Sequence, residues 1–192
     1  MTLISTLKKS INVYILKYLG YRKVIYRVLK IDPVNYQVLL QIKGKRAVFS
    51  TNFVDIMESK SMLQSISALD ACCIGFHYGR SSRSFSKKRA SFISNFSFSM
   101  DHSFGQYRLI SENGFTGEIK YIDKIYKKEF VELPTAVVQS SYIINKFDPT
   151  QACYIGFLAG IMIEKELNKK TSSSKEKIQP LLQKKPMLRV VK

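Results

Sequence analysis

Asp148-Pro149-Thr150-Gln151-Ala152-Cys153-Tyr154-Ile155-Gly156-Phe157-Leu158-Ala159-Gly160 opens as a helix start and continues as a helix with two glycines four residues apart. Asp148 is placed to accept from the free N–H groups of a first turn, and Pro149 fits the first helical position. Gln151, three residues on, is placed to bond back to the cap. A related stretch lies earlier: Ser67-Ala68-Leu69-Asp70-Ala71-Cys72-Cys73-Ile74-Gly75-Phe76-His77-Tyr78-Gly79. It carries the same capping logic and the same Ala-Cys-x-Ile-Gly-Phe-x-x-Gly core.

Working outward from this pair, an offset of 81 carries Tyr26-Arg27 onto Tyr107-Arg108, Phe49 onto Phe130, Ala71-Cys72 onto Ala152-Cys153 and Gly79 onto Gly160. Apolar positions coincide between them: Val38 with Ile119, Ile56 with Val137, Ile66 with Phe147. Turn residues also match, with Asp32-Pro33-Val34-Asn35 set against Glu112-Asn113-Gly114-Phe115. The pattern predicts an α+β chain built by tandem duplication of a β-β-β-α unit into one pseudo-symmetric domain.

Strands are expected at about Lys23–Ile31, Tyr36–Ile42 and Arg46–Thr51, the last two joined by a hairpin turn at Lys43-Gly44-Lys45. The second set is expected at about Gln106–Ser111, Gly117–Ile122 and Glu129–Leu133. Phe53–Ile66 and Pro134–Phe147 hold apolar pairs without a clean period, leaving a short helix or a further strand open. The expected organisation is an amphipathic basic helix in 1–25, repeat units at 26–79 and 107–170, a linker at 80–106 and a flexible basic tail at 171–192. Within the first segment, Leu3, Leu7, Ile11, Tyr14 and Tyr18 share one helical face. The second repeat helix is expected to end near Lys170, and the tail is Ser- and Lys-rich with Pro180 and Pro186.

The chain has 192 residues, 45% of them hydrophobic, including 12 Phe and 11 Tyr, which suffices for a packed interior. Its three cysteines, Cys72, Cys73 and Cys153, are an odd count with two adjacent, a poor disulfide framework that favours a reducing compartment. With no Cys-x-x-Cys and only His77 and His102, no metal site is expected, and no cofactor either. The run from Cys153 to Ile163 is shorter than the ~20 residues a bilayer crossing needs, so a cytoplasmic protein is expected.

Net charge is +17. It is unevenly placed: residues 26–79 hold six Lys and Arg against four Asp and Glu, and residues 107–160 hold six of each. The excess therefore sits in the amino-terminal segment, the linker and the tail. Basic flanks around a neutral core attract nucleic-acid phosphates, an acidic protein surface or an anionic membrane. In the linker, Arg80, Arg83, Lys87, Lys88 and Arg89 flank Phe85, so cations can track a backbone while a ring stacks on a base.

No phosphate-binding glycine loop, nucleophile elbow or paired-carboxylate arrangement occurs, so no catalytic residue is named and an enzyme is not expected. Gly75, Gly79, Gly156 and Gly160 are expected to let the two motif helices touch. The favoured function is a binding protein that holds an anionic partner, most plausibly nucleic acid, through its basic flanks. The alternative is a protein-interaction adaptor, a component or client of a bacterial assembly or secretion system, whose amino-terminal helix docks a partner.

Overall fold

The chain is mixed α+β, with two three-stranded antiparallel sheets and helices. The structure, a computed structural model, describes residues 25–81 and 105–182, with side chains of the last helix described through Lys169. The expected amino-terminal helix, most of the linker and the end of the tail lie outside the described residues. The chain divides into two units between Ser67 and Ala68.

In the first unit, β1 (Tyr26–Asp32), β2 (Gln37–Ile42) and β3 (Val48–Asn52) form a meander in that order. Val38 and Leu40 point inward and are fully buried while Leu39 between them is exposed, the two-residue alternation of a one-faced sheet. The β1–β2 turn is folded by Asp32, whose Oδ1 accepts from the N–H of Val34 (3.0 Å) and Asn35 (3.1 Å). It closes through Tyr36 at φ 54°, a left-handed conformation that L-residues adopt at a cost. Its ring packs edge-on against Phe53, which offsets that cost.

Two short helices follow, α1 (Phe53–Glu58) and α2 (Lys60–Leu63). Each has a side chain on its free N–H groups: Asn52 accepts from Asp55 N–H at 2.8 Å, and Ser59 from Met62 N–H at 3.4 Å. Phe53, Ile56 and Leu63 are buried, as are the sheet residues Val38 and Leu40.

The second unit begins with α3 (Ala68–Ser81) and continues with β4 (Tyr107–Glu112), β5 (Ile119–Asp123) and β6 (Glu129–Glu132). Then come α4 (Pro134–Val138), α5 (Ser141–Ile144) and the long α6 (Pro149–Leu182). From β4 onward this order repeats β1 to α3. Tyr26 and Tyr107, Val48 and Glu129, Phe53 and Pro134, Lys60 and Ser141, and Ala68 and Pro149 each begin corresponding elements. The register irregularity at Val28/Lys30 corresponds to that at Leu109/Ser111. Ser140 caps α5 as Ser59 caps α2, and Gly117 (φ 75°) takes the left-handed place of Tyr36. The sheet rings correspond too: Tyr26 meets Phe49 at 5.7 Å between centroids, and Tyr107 meets Phe130 at 6.0 Å.

Four local expectations are corrected. The turn partner of Asp32 is Asn113, not Glu112, because Asn113 Oδ1 is the atom that accepts from the two following N–H groups, Phe115 at 3.0 Å and Thr116 at 3.3 Å. Each sheet is followed by three helices rather than one, since α1, α2, α4 and α5 are too short to display a helical period. Helix α6 does not end near Lys170 but at Leu182, beyond the expected start of the tail at Thr171; no Gly or Pro interrupts it between Gly160 and Pro180. Gln151 does not fold back on its cap: its Oε1 accepts from Leu109 N–H at 3.1 Å, at the β4 irregularity.

Candidate functional site

Helix α3 and the first turns of α6 pack against each other within the second unit. Asp148 starts α6, its Oδ1 accepting from Thr150 N–H (2.9 Å) and Gln151 N–H (3.1 Å). One turn on, small residues bring the two backbones together. A Cβ on Gly75 would stand 2.9 Å from the carbonyl carbon of Cys153 and closer still to its oxygen. The relation is reciprocal: a Cβ on Gly156 would stand 2.9 Å from the carbonyl carbon of Cys72. One turn further, Gly79 faces the carbonyl of Phe157, and Gly160 that of Phe76. In all four cases the obstacle is backbone, and the glycine hydrogen aimed at each carbonyl is the geometry of a Cα–H···O contact. Ala71, Ala152, Ile74 and Ile155 on the same two helices are fully buried. This leaves the repeated motif with a packing task.

The thiols beside the seam have little nucleophilic capacity. Burial, with Cys73 adding a smaller effect, pushes the Cys72 thiol up to about 12. Cys153 is completely buried; burial and then Cys72 raise it further, against a Gly75 N–H that works the other way. Burial and then Asp70 also raise Cys73. Reactive cysteines need the thiolate, which these surroundings disfavour. Burial and then the Arg80 guanidinium lower the His77 pKa from its usual value. Among the described residues, no group of three or more His, Cys, Asp or Glu is arranged to hold a metal.

Of the cations and ring expected to contact a partner, only Arg80 falls within the described residues; Arg83, Phe85, Lys87, Lys88 and Arg89 lie outside them. Arg80 Nε stands 3.9 Å from Glu164 Oε2 with its side chain 43% exposed, an arrangement that contributes little to stability.

A second basic surface, not anticipated from the sequence, lies at the β5–β6 turn of the second unit. Asp123 Oδ1 accepts from Ile125 N–H (2.8 Å) and Tyr126 N–H (3.2 Å), and the turn closes with Asp123 N–H donating to Lys128 O at 2.9 Å. Lys124 N–H donates to Gln106 O (3.0 Å), and the next residue, Tyr107, donates to Lys146 O (2.9 Å). The turn is thereby tied to the end of α5, where the Lys146 ammonium sits 4.8 Å over the Tyr142 ring. Burial works to raise the Asp123 carboxyl. Tyr126 N–H, Ile125 N–H, the Gln106 amide and the Lys146 ammonium outweigh it and lower the Asp123 pKa below its usual value. The available signal was the run Lys124-Ile125-Tyr126-Lys127-Lys128, three lysines around a tyrosine.

No protein-family model, curated protein or solved structure matches this chain. Among the described residues, no helix is long and apolar enough to cross a membrane.

Proposed function

We propose that this chain is a tandem duplication of one sheet-and-helix unit, and that it acts as a non-enzymatic binding protein for an anionic partner, nucleic acid. The observation that carries the function is the placement of charge. The segments 26–79 and 107–160 are nearly neutral, whereas 1–25, 80–106 and 161–192 are each strongly basic. A near-neutral core packs without self-repulsion, and basic segments around it concentrate polyanions by releasing their counterions. The seam supports the same division of labour. Its glycines meet backbone, and its thiols are buried with raised pKa, so the motif offers no nucleophile with a base.

The test is fluorescence anisotropy of the full chain with labelled DNA and RNA at about 50 and 200 mM salt. Binding is expected to weaken with salt and to fall when Arg80, Arg83, Lys87, Lys88 and Arg89 are replaced together by Ala. No binding to either polymer at the lower salt refutes the proposal.

A further inference from the structure

We infer that the β5–β6 turn end of the second unit is a single-strand nucleic-acid site, with Tyr126 and Tyr142 stacking on unpaired bases and Lys124, Lys127, Lys128 and Lys146 holding the phosphates. This rests on nucleic acid being the partner, and adds a folded contact surface and the form of the strand.

Hydrogen bonds bring these residues to one end of the unit from two separate stretches of chain. The turn is bound to Gln106, and its neighbour Tyr107 to Lys146, one turn of chain beyond Tyr142. Both tyrosines stand open, Tyr126 77% and Tyr142 69% exposed. Rings this exposed gain little from burial at home, and a ring face beside ammonium groups is what a base and its phosphate require. Lys146 already covers one face of Tyr142.

Two of the neighbouring acids have partners within the unit. Asp123 spends its Oδ1 on the turn N–H groups and its Oδ2 on Gln106, and Glu129 pairs with Lys120 at 2.7 Å. Across Asp123–Lys128 and Lys146, four lysines stand against one aspartate, so the charge these residues carry sums to positive.

The backbone makes one variant informative. Lys127 adopts φ 56°, a left-handed position where glycine is at ease and a lysine is strained. Tyr36 takes the same conformation in the β1–β2 turn, so turn geometry accounts for it, and Lys127→Gly relieves it while removing the ammonium. The corresponding turn of the first unit carries Lys43, Lys45 and Arg46, so a basic β-turn occurs in each sheet, with tyrosine only in the second.

An unpaired strand is favoured over a duplex because duplex bases already stack on one another and present no free face to a ring.

The experiment uses the full chain with a labelled oligothymidylate of about 12 nucleotides, a duplex of the same length and anionic lipid vesicles. The single strand is expected to bind more tightly than the duplex. Tyr126→Ala and Tyr142→Ala should each weaken it roughly 5- to 150-fold, and Tyr126→Phe by less than about twofold. Lys127→Gly should weaken binding and make the salt slope shallower by about 0.7, with a melting temperature no lower than wild type. If the intact chain binds no nucleic acid, the broader function falls. If it binds but these variants bind equally well, or the duplex is preferred, this site is wrong and the broader function stands. Vesicle binding lost in the same variants, without an effect on the oligonucleotide, assigns the surface to a membrane and overturns the inference.

Discussion

Replacing Gly156 by alanine sets two effects of opposite sign against each other. On helix propensity alone the change stabilises by about 1 kcal/mol, because glycine is the poorest ordinary helix former and alanine the best. In this helix the new Cβ would stand 2.9 Å from the Cys72 carbonyl carbon and 3.1 Å from its Cα, with the carbonyl oxygen nearer than either. A carbon beside a carbonyl oxygen rests at about 3.3–3.6 Å, so α3 and α6 must separate locally by roughly 1 Å. No side chain can swing aside, since every obstacle is backbone, and overpacking of this kind falls at the upper end of the usual range, about 3 kcal/mol. Separation also weakens the neighbouring Cα–H···O contacts, each about 0.5–1 kcal/mol. The net expectation is a loss of about 3 kcal/mol, or about 6–12 °C in melting temperature for a chain of this size. Leucine at the same place should cost more. Gly114→Ala is the control, because nothing lies within 4 Å of its Cβ position, and it should melt close to wild type. Gly75→Ala combined with Gly156→Ala should cost less than the sum of the two, since the first already parts the helices. Thermal unfolding followed by circular dichroism decides it: a Gly156→Ala protein that melts at or above the wild-type temperature refutes the close-approach account.

Thiol titration with Ellman's reagent should find no more than the half-buried Cys73 reactive in the native protein at neutral pH and all three cysteines in denaturant; rapid native labelling of Cys153 would contradict its burial. His77 has a lowered folded pKa, so the unfolded chain takes up its proton first. Its contribution to stability is intact above pH 6.5 and is lost as pH falls below that value through the lower folded pKa, and His77→Gln should flatten the melting temperature between about pH 7.5 and 5.5. Asp32 and Asp123, with lowered carboxyl pKa values, act in a separate window: their contribution is present above 3.8 and fades in stronger acid. Asp148→Ala removes the acceptor for two N–H groups at the start of α6 and should lower stability by about 0.5–2 kcal/mol, measured by denaturant unfolding.

The sheets and the glycine helices were legible because each has a period longer than chance in the sequence. Val38 and Leu40 alternate with polar or exposed neighbours, and glycines at i and i+4 in two otherwise helical stretches are unfavourable unless something approaches them closely. Which backbone approaches them, the carbonyls of Cys72, Phe76, Cys153 and Phe157, is a matter of helix crossing that no local pattern encodes. The four short helices were not legible for the opposite reason. Four to six residues span little more than one turn, so Phe53–Glu58 and Lys60–Leu63 show apolar pairs but no repeat. Gln151 misled because the capping box is a local rule, whereas its acceptor serves Leu109, 42 positions away. The basic turn was hidden in a similar way: Tyr142 and Lys146 join Tyr126 and Lys127 only through the bonds that Gln106 and Tyr107 make to either side.

The two series of elements differ most where side chains meet solvent. In the seam, any group larger than hydrogen at four positions collides with backbone, so both helices keep Gly at the same two places, with Ala, Cys, Ile and Phe between or beside them. At the β-turns no such collision operates: Gly44 faces open space, its constraint being a left-handed φ of 84° and not a neighbour, and its counterpart Ile125 is 66% exposed. Lys45 there corresponds to Tyr126, Arg46 to Lys127 and Ala47 to Lys128, so the second turn exchanges a cation for a ring and gains another cation at no packing cost. Changes tolerated by the fold are the ones free to serve recognition. A chimera that carries Lys43–Ala47 in place of Lys124–Lys128 therefore keeps its seam and, if the turn is a recognition surface, should lose single-strand affinity while its helical circular dichroism is unchanged. A chimera that binds as tightly as the parent would place recognition in the basic flanks alone.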